Sequence, residues 1–251
     1  MPINPAFHRF SAEAAIIGRL LAAFGELEVT VCYNAAKAAN LPLRDSVVAA
    51  VYRIRTTRSR LEAADALMRP IYSAAGLAGA YVEAFARVIH CLRIRNQFAH
   101  CNWGHDEIAG LFFVDLQVAA ESPDFAFYWK HVDVPLLERH EAYFDGALEA
   151  LRFADHEMAV KQGKLRSHIW PKPPASAPPP LHNPEAQHIP PWLEPDEKAR
   201  HIARAQAARE GVPTPTPAQR AQEAAREAKR ARRQADRKRD LAKRSDPDSQ
   251  P

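Results

Sequence analysis

Residues 71–100 read IYSAAGLAGAYVEAFARVIHCLRIRNQFAH, and this run decides the fold class. Tyr81, Phe85, Val88, Ile89 and Leu92 recur at three- and four-residue steps, the spacing that gathers side chains on one face of a helix. The pattern predicts one long helix over 71–100, with Gly76 and Gly79 as weak points or as places where another helix comes close. Its last turn changes character: Arg95-Asn96-Gln97-Phe98-Ala99-His100 places four polar side chains where the apolar stripe runs out.

Upstream the same period recurs. Ile17, Leu20, Leu21, Phe24, Leu27 and Val31 predict a first helix, capped by Ser11 and running to about Ala39, where Asn40-Leu41-Pro42 breaks it. Asp45 or Ser46 caps a second, whose stripe is Val47, Val51, Ile54, Leu61, Ala64 and Leu67, surrounded by Arg53, Arg55, Arg58 and Arg60. Pro70, with no amide hydrogen, is expected to end it. Downstream the period shortens: Leu111 to Val114 and Phe125 to Trp129 predict a small hairpin joined by residues 115–124. A fourth helix begins near Pro135, buries Leu137, His140, Phe144, Ala147, Leu148 and Leu151, and stops at Gly163.

Beyond the last helix the composition shifts. Ten of the 25 residues from 171 to 195 are proline, which predicts an extended, partly polyproline linker. Trp170, Ile189 and Trp192 are unusual in an inert linker and point to docking on the domain or on a partner. A short helix is expected over 196–210. Residues 218–243 favour helix, but their apolar face is mostly alanine. The fold class is therefore mainly α: a four- to five-helix bundle with a small β-hairpin over 1–165, a proline-rich linker over 166–217, and a basic helical or disordered tail over 218–251.

Charge follows the same division. Residues 1–165 hold 17 Lys and Arg against 19 Asp and Glu, a net of −2, whereas 217–244 hold 11 against 4, a net of +7. An acidic domain grips nucleic acid poorly, so the tail, through Arg226, Arg230, Arg233 and Arg237, is the candidate for phosphate contact. That run carries no aromatic side chain for stacking on bases. It serves equally to keep the chain soluble or to bind an acidic protein partner. Three cysteines, Cys32, Cys91 and Cys101, with no paired spacing, fit a reducing compartment. With no apolar leader and no run long enough to span a bilayer, the expectation is a cytoplasmic protein without membrane contact. His90, Cys91, His100, Cys101 and His105 lack the spacing of a metal site, and there is no glycine-rich phosphate loop; no metal or cofactor is expected.

The run Arg95-Asn96-x-x-x-His100, at the end of a late helix in an all-α pattern, resembles the signature of the HEPN family (higher eukaryotes and prokaryotes nucleotide-binding domains). The resemblance covers about residues 10–160 in architecture and six residues in motif. It implies a helical bundle that forms a homodimer. It also implies a metal-independent endoribonuclease, often of a toxin or phage-defence type, with Arg95 and His100 as catalytic pair and Asn96 positioning them. Other HEPN members are non-catalytic.

Chemistry gives the same residues a plausible use. Cleavage of RNA by its own 2′-hydroxyl needs a base, an acid for the leaving oxygen, and positive charge at the phosphate. Histidine supplies the first two near neutral pH; arginine supplies the third as a rigid fork of donors. Five residues apart on a helix, Arg95 and His100 diverge by ~140°, while Asn96 and His100, four apart, share a face. A dimer that brings each motif opposite its copy resolves the divergence. The bland alternative has Arg95 paired with an acidic neighbour and His100 closing the helix end. Trp103, in the following loop, is a candidate for stacking on a base or a lid on the core. The competing whole-chain reading is a non-catalytic dimerisation and interaction module that presents its proline-rich, basic tail to a partner.

Overall fold

The computed structural model describes residues 4–39, 44–120, 127–167 and 169–210. Asn40-Leu41-Pro42, part of the predicted second strand, and the basic run with Arg226, Arg230, Arg233 and Arg237 lie outside them.

The chain opens with a one-turn helix, α1 (Pro5–Arg9), for which Asn4 accepts a hydrogen bond from the Phe7 amide. Asn-Pro is a ready-made start, a side-chain cap followed by a fixed φ. Ser11 is therefore not the cap of the next helix, α2 (Ser11–Ala38); Phe10 holds that position. The predicted second helix is two. α3 (Arg44–Tyr52) and α4 (Thr57–Ala74) are separated by a bend at residues 53–56, and Thr56 restarts the helix by accepting from the Ser59 amide at 3.1 Å. Pro70 does not end α4 but sits inside it. Pro70 and Ala66 are both exposed, so the carbonyl that loses its helical donor faces water.

The run 71–100 is also divided. It bends at Ala75-Gly76-Leu77, where Gly76 takes φ of 73°, and α5 (Ala78–Ala99) begins beyond. α2, α4, α5 and α7 (Val134–Lys161) pack on one another around a single core. Leu20, Leu27, Leu61, Ile94, Leu136 and Leu137 are among its fully buried side chains, each worth about 1.5–3 kcal/mol relative to exposure. α7 begins and ends as its sequence dictates. Asp133 accepts from the Leu136 amide at 2.9 Å, and Pro135 occupies the first turn. Gly163, at φ of 69°, lets the Lys164 amide reach back to Ala159 O at 2.9 Å, a closed C-terminal cap.

The sheet corrects the predicted hairpin. β2 (Gly110–Asp115) pairs with β1 (Cys101–Asp106), which follows α5 directly, and on its other edge with β3 (Lys130–Val132), all antiparallel; the described part of the expected second strand, 127–129, precedes β3 rather than forming it. The β1–β2 turn is set by Asp106, whose Oδ1 accepts from the Ile108 and Ala109 amides at 2.9 and 2.8 Å. Gly110 closes it at φ of 98°, a conformation that favours glycine. A short helix, α6 (Leu116–Ala120), follows β2.

The proline-rich stretch is not a free linker. Residues 174–193 form a strap against α5, α7 and the sheet. It is held by main-chain carbonyls: Pro174 O accepts from Arg87 Nη2 at 2.9 Å, and Leu181 O from Gln97 Nε2 at 2.6 Å. Pro179 O bonds His90 Nε2 at 2.9 Å, and Pro180 O bonds His140 Nε2 at 2.8 Å. Proline has carbonyls but no amide hydrogens, so an extended proline run offers acceptors and needs no donors satisfied in return. Trp192 packs edge-on against Phe112 and Trp129, at 5.2 and 5.4 Å between centroids. The strap leads into α8 (Pro195–Arg209), opened by reciprocal hydrogen bonds between Glu194 and Glu197, a capping box.

Candidate functional site

Arg95, Asn96 and His100 occupy the last turn of α5, where the chain leaves the helix for β1. His100 is the C-cap residue, with φ −128° and ψ 24°, and Cys101 already belongs to the strand. The sharp exit follows from packing: Phe98 is buried against the core, while Trp103, two residues into β1, stacks on it at 5.9 Å. Asn96 and His100 are exposed and Arg95 is partly so.

Arg95 Nη1 donates to Asn96 Oδ1 at 3.1 Å. The bond matters because the two residues leave the helix ~100° apart. It draws the guanidinium around the helix toward the side that Asn96 and His100 share. No ion pair holds Arg95 among the described residues, so the acidic-neighbour reading has no partner there.

The sequence reading missed that this face continues down the helix. Val82, Ala86, Ile89, Arg93, Asn96 and His100 step by four and three, and all are exposed or half-exposed. Its lower part lines a cleft of about 650 Å³ between α4, α5 and the strap, with Arg58, Arg69 and Tyr143 on its walls. Three of the cleft's guanidiniums are paired within their helices: Arg58 with Glu62, Arg69 with Asp65, and Arg87 with Glu83. Arg93 makes no ion pair among the described residues. Three- and four-residue counting shows the stripe, but only the fold shows that no helix covers it.

Trp103 is half-buried in an aromatic cluster with Phe7, Phe98 and Phe113, at 4.8 to 5.9 Å. It ties α1, α5 and β2 together, so its ring packs as a lid on the core. The thiols of Cys32 and Cys91 are buried. Burial pushes Cys32 up to about 11 and Cys101 up to about 12, which removes them as nucleophiles at neutral pH. Among the described residues no group of three His, Cys, Asp or Glu side chains is placed to hold a metal ion, and no helix is long and apolar enough to cross a membrane. No protein-family model, curated protein or solved structure matches the chain.

Proposed function

We propose that this chain is a HEPN-like, metal-independent endoribonuclease acting as a homodimer. Arg95 and His100 would be its catalytic pair, and Asn96 the residue that positions Arg95. The observation that carries the reading is the Arg95–Asn96 hydrogen bond at an exposed helix end, four residues before an exposed His100.

In the reaction, the ribose 2′-oxygen attacks the adjacent phosphorus as its proton passes to one His100 imidazole. The P–O5′ bond breaks, and the leaving oxygen takes a proton from the other copy's imidazolium. The products are a 2′,3′-cyclic phosphate and a 5′-hydroxyl. Arg95 donates to the phosphate oxygens as their charge grows. The need for a 2′-hydroxyl confines the substrate to RNA. Arg93, on the same face as Asn96 and His100, adds a cation along the strand's path.

The test uses the purified full chain, single-stranded RNA and EDTA. Wild type cuts; His100→Ala and Arg95→Ala lose about 100-fold or more, while melting temperatures stay within about 2 °C, because an exposed substitution costs about 0.5 kcal/mol or less. Wild type as inert as His100→Ala ends the nuclease reading.

The non-catalytic alternative is sharpened by one observation. The strap is already committed to its own domain, so a partner would meet the basic segment beyond residue 210 rather than the proline run.

A further inference from the structure

The contact between the strap and the domain is unusually rich in one residue type. Of the 11 histidines in the chain, His90, His131 and His140 lie on the domain side and His182 and His188 on the strap side. Two of them meet the strap in ways that resist a second proton, one because its acceptor nitrogen is in use and one because it is buried.

His131, 6% exposed on β3, accepts from Asn183 Nδ2 through its Nδ1 at 3.0 Å, while its backbone carbonyl takes the Asn183 amide at 2.9 Å. Its other nitrogen faces the Ala109 carbonyl. A proton on Nδ1 removes the acceptor that Asn183 uses. His188 lies flat on the same ring, 4.0 Å away and 2° from parallel, so two charged rings there would repel at contact distance. His140 is fully buried on α7; its Nε2 donates to Pro180 O, and among the described residues its Nδ1 has no hydrogen-bond partner. A proton on that Nδ1 is a buried charge facing no acceptor.

We propose that the strap, residues 174–193, is a histidine-locked clasp: acidification protonates His131 and His140, the strap lets go of α5, α7 and β3, and the four-helix core stays folded with its groove open.

The surrounding charges set the balance. His131 faces His188 from the strap, which opposes protonation, and Asp133 from the head of α7, which favours it. His140 faces the Pro180 carbonyl of the strap, which favours protonation, and His90 of α5 and Arg139 of its own helix, which oppose it. His90 faces Arg93 and packs on the Tyr143 ring. His182 lies among Lys130, Arg204 and Glu185. With the strap docked, burial above all holds His131 and His140 down to about 4, from an ordinary 6.5, and outweighs the Pro180 carbonyl's pull on His140 in the other direction. Burial lowers His90 and His182 as well. Release rehydrates the rings and restores their ordinary affinity for protons, so the released form binds more protons than the docked one between those values. Docking is therefore at full strength above the ordinary histidine range and is lost as pH falls toward 4. Two linked protons change the docking equilibrium by about 100-fold per pH unit within the window.

Hydrogen exchange by mass spectrometry on the full chain, from about pH 7.5 to about 4.5 and corrected for intrinsic exchange, reads this directly. The expected result is loss of protection over 181–193, including the Asn183 amide, while α2, α5 and α7 keep theirs. His188→Phe keeps the stacked ring and removes its charge. It should move the midpoint to lower pH and flatten the transition. His140→Gln, which retains a side-chain N–H for Pro180 O, should do the same. Protection that persists to pH 4.5, that vanishes together with the protection of α5 and α7, or whose midpoint is indifferent to His188→Phe overturns the proposal.

Discussion

At the scale of single residues, the molecule uses small side chains where two rings meet a backbone. Gly110 turns the chain between β1 and β2 at φ of 98°, and a Cβ there would lie 2.8 Å from His131 Nε2. Gly110→Ala meets both a strained backbone and a ring that is already bonded on two sides. It should cost about 2 kcal/mol or more in chemical denaturation. Gly104 of β1 is tight for another reason, since a Cβ would sit 2.9 Å from the Trp129 ring and 3.2 Å from Trp192. Asn96 has no such structural duty. Asn96→Ala should leave stability unchanged while lowering RNA cleavage by about tenfold, as expected if it only holds the Arg95 fork in place.

At the scale of elements, the helices behave as their ends dictate. Asp133→Ala removes the side-chain acceptor at the start of α7 and should cost about 1 kcal/mol, read as a lowered urea midpoint with unchanged slope. The long apolar stripes of α2, α5 and α7 were legible in the sequence because 3.6-residue periodicity survives over many turns. The breaks between helices were less so. The break at 53–56 lies within a continuous stripe, and it is Thr56, not a proline or glycine, that restarts the helix. Pro70 misled because its cost depends on which side faces water, and a sequence does not print sides. β1 escaped notice because Cys101-Asn102-Trp103-Gly104-His105-Asp106 has no clean alternation; it is a strand because β2 beside it offers a ladder and a buried face. The motif at the end of α5 was legible as residue types and spacing. What was not legible was the Arg95–Asn96 bond, which depends on how the helix end is exposed.

At the scale of the whole molecule, long-range ion pairs join elements that are distant in sequence. Arg60 of α4 meets Glu28 of α2, with side chains only 14% and 9% exposed, and also donates to Ile54 O at 2.9 Å. Glu28→Gln leaves Arg60 half-buried without its counter-charge and should cost about 3 kcal/mol, seen as a melting temperature lowered by roughly 6–12 °C. Arg19–Glu141, which joins α2 to α7 across an open surface, should be nearly silent by the same measure, within about 1 kcal/mol. The strap completes the assembly, fastened to α5, α7 and β3 at points spread along its length. Four of those points are domain side chains bonded to strap carbonyls, a group that every residue carries, so there the domain reads only the path of the chain. The rest are side chains of the strap itself: Asn183 and His188 on the His131 ring, and Trp192 against Phe112 and Trp129. Substitutions between these anchors that keep the extended path should be tolerated, whereas changes at Asn183, Trp192, Gln97 or His140 would be felt. The strap is thus spelled out at its C-terminal half and merely traced at its N-terminal half.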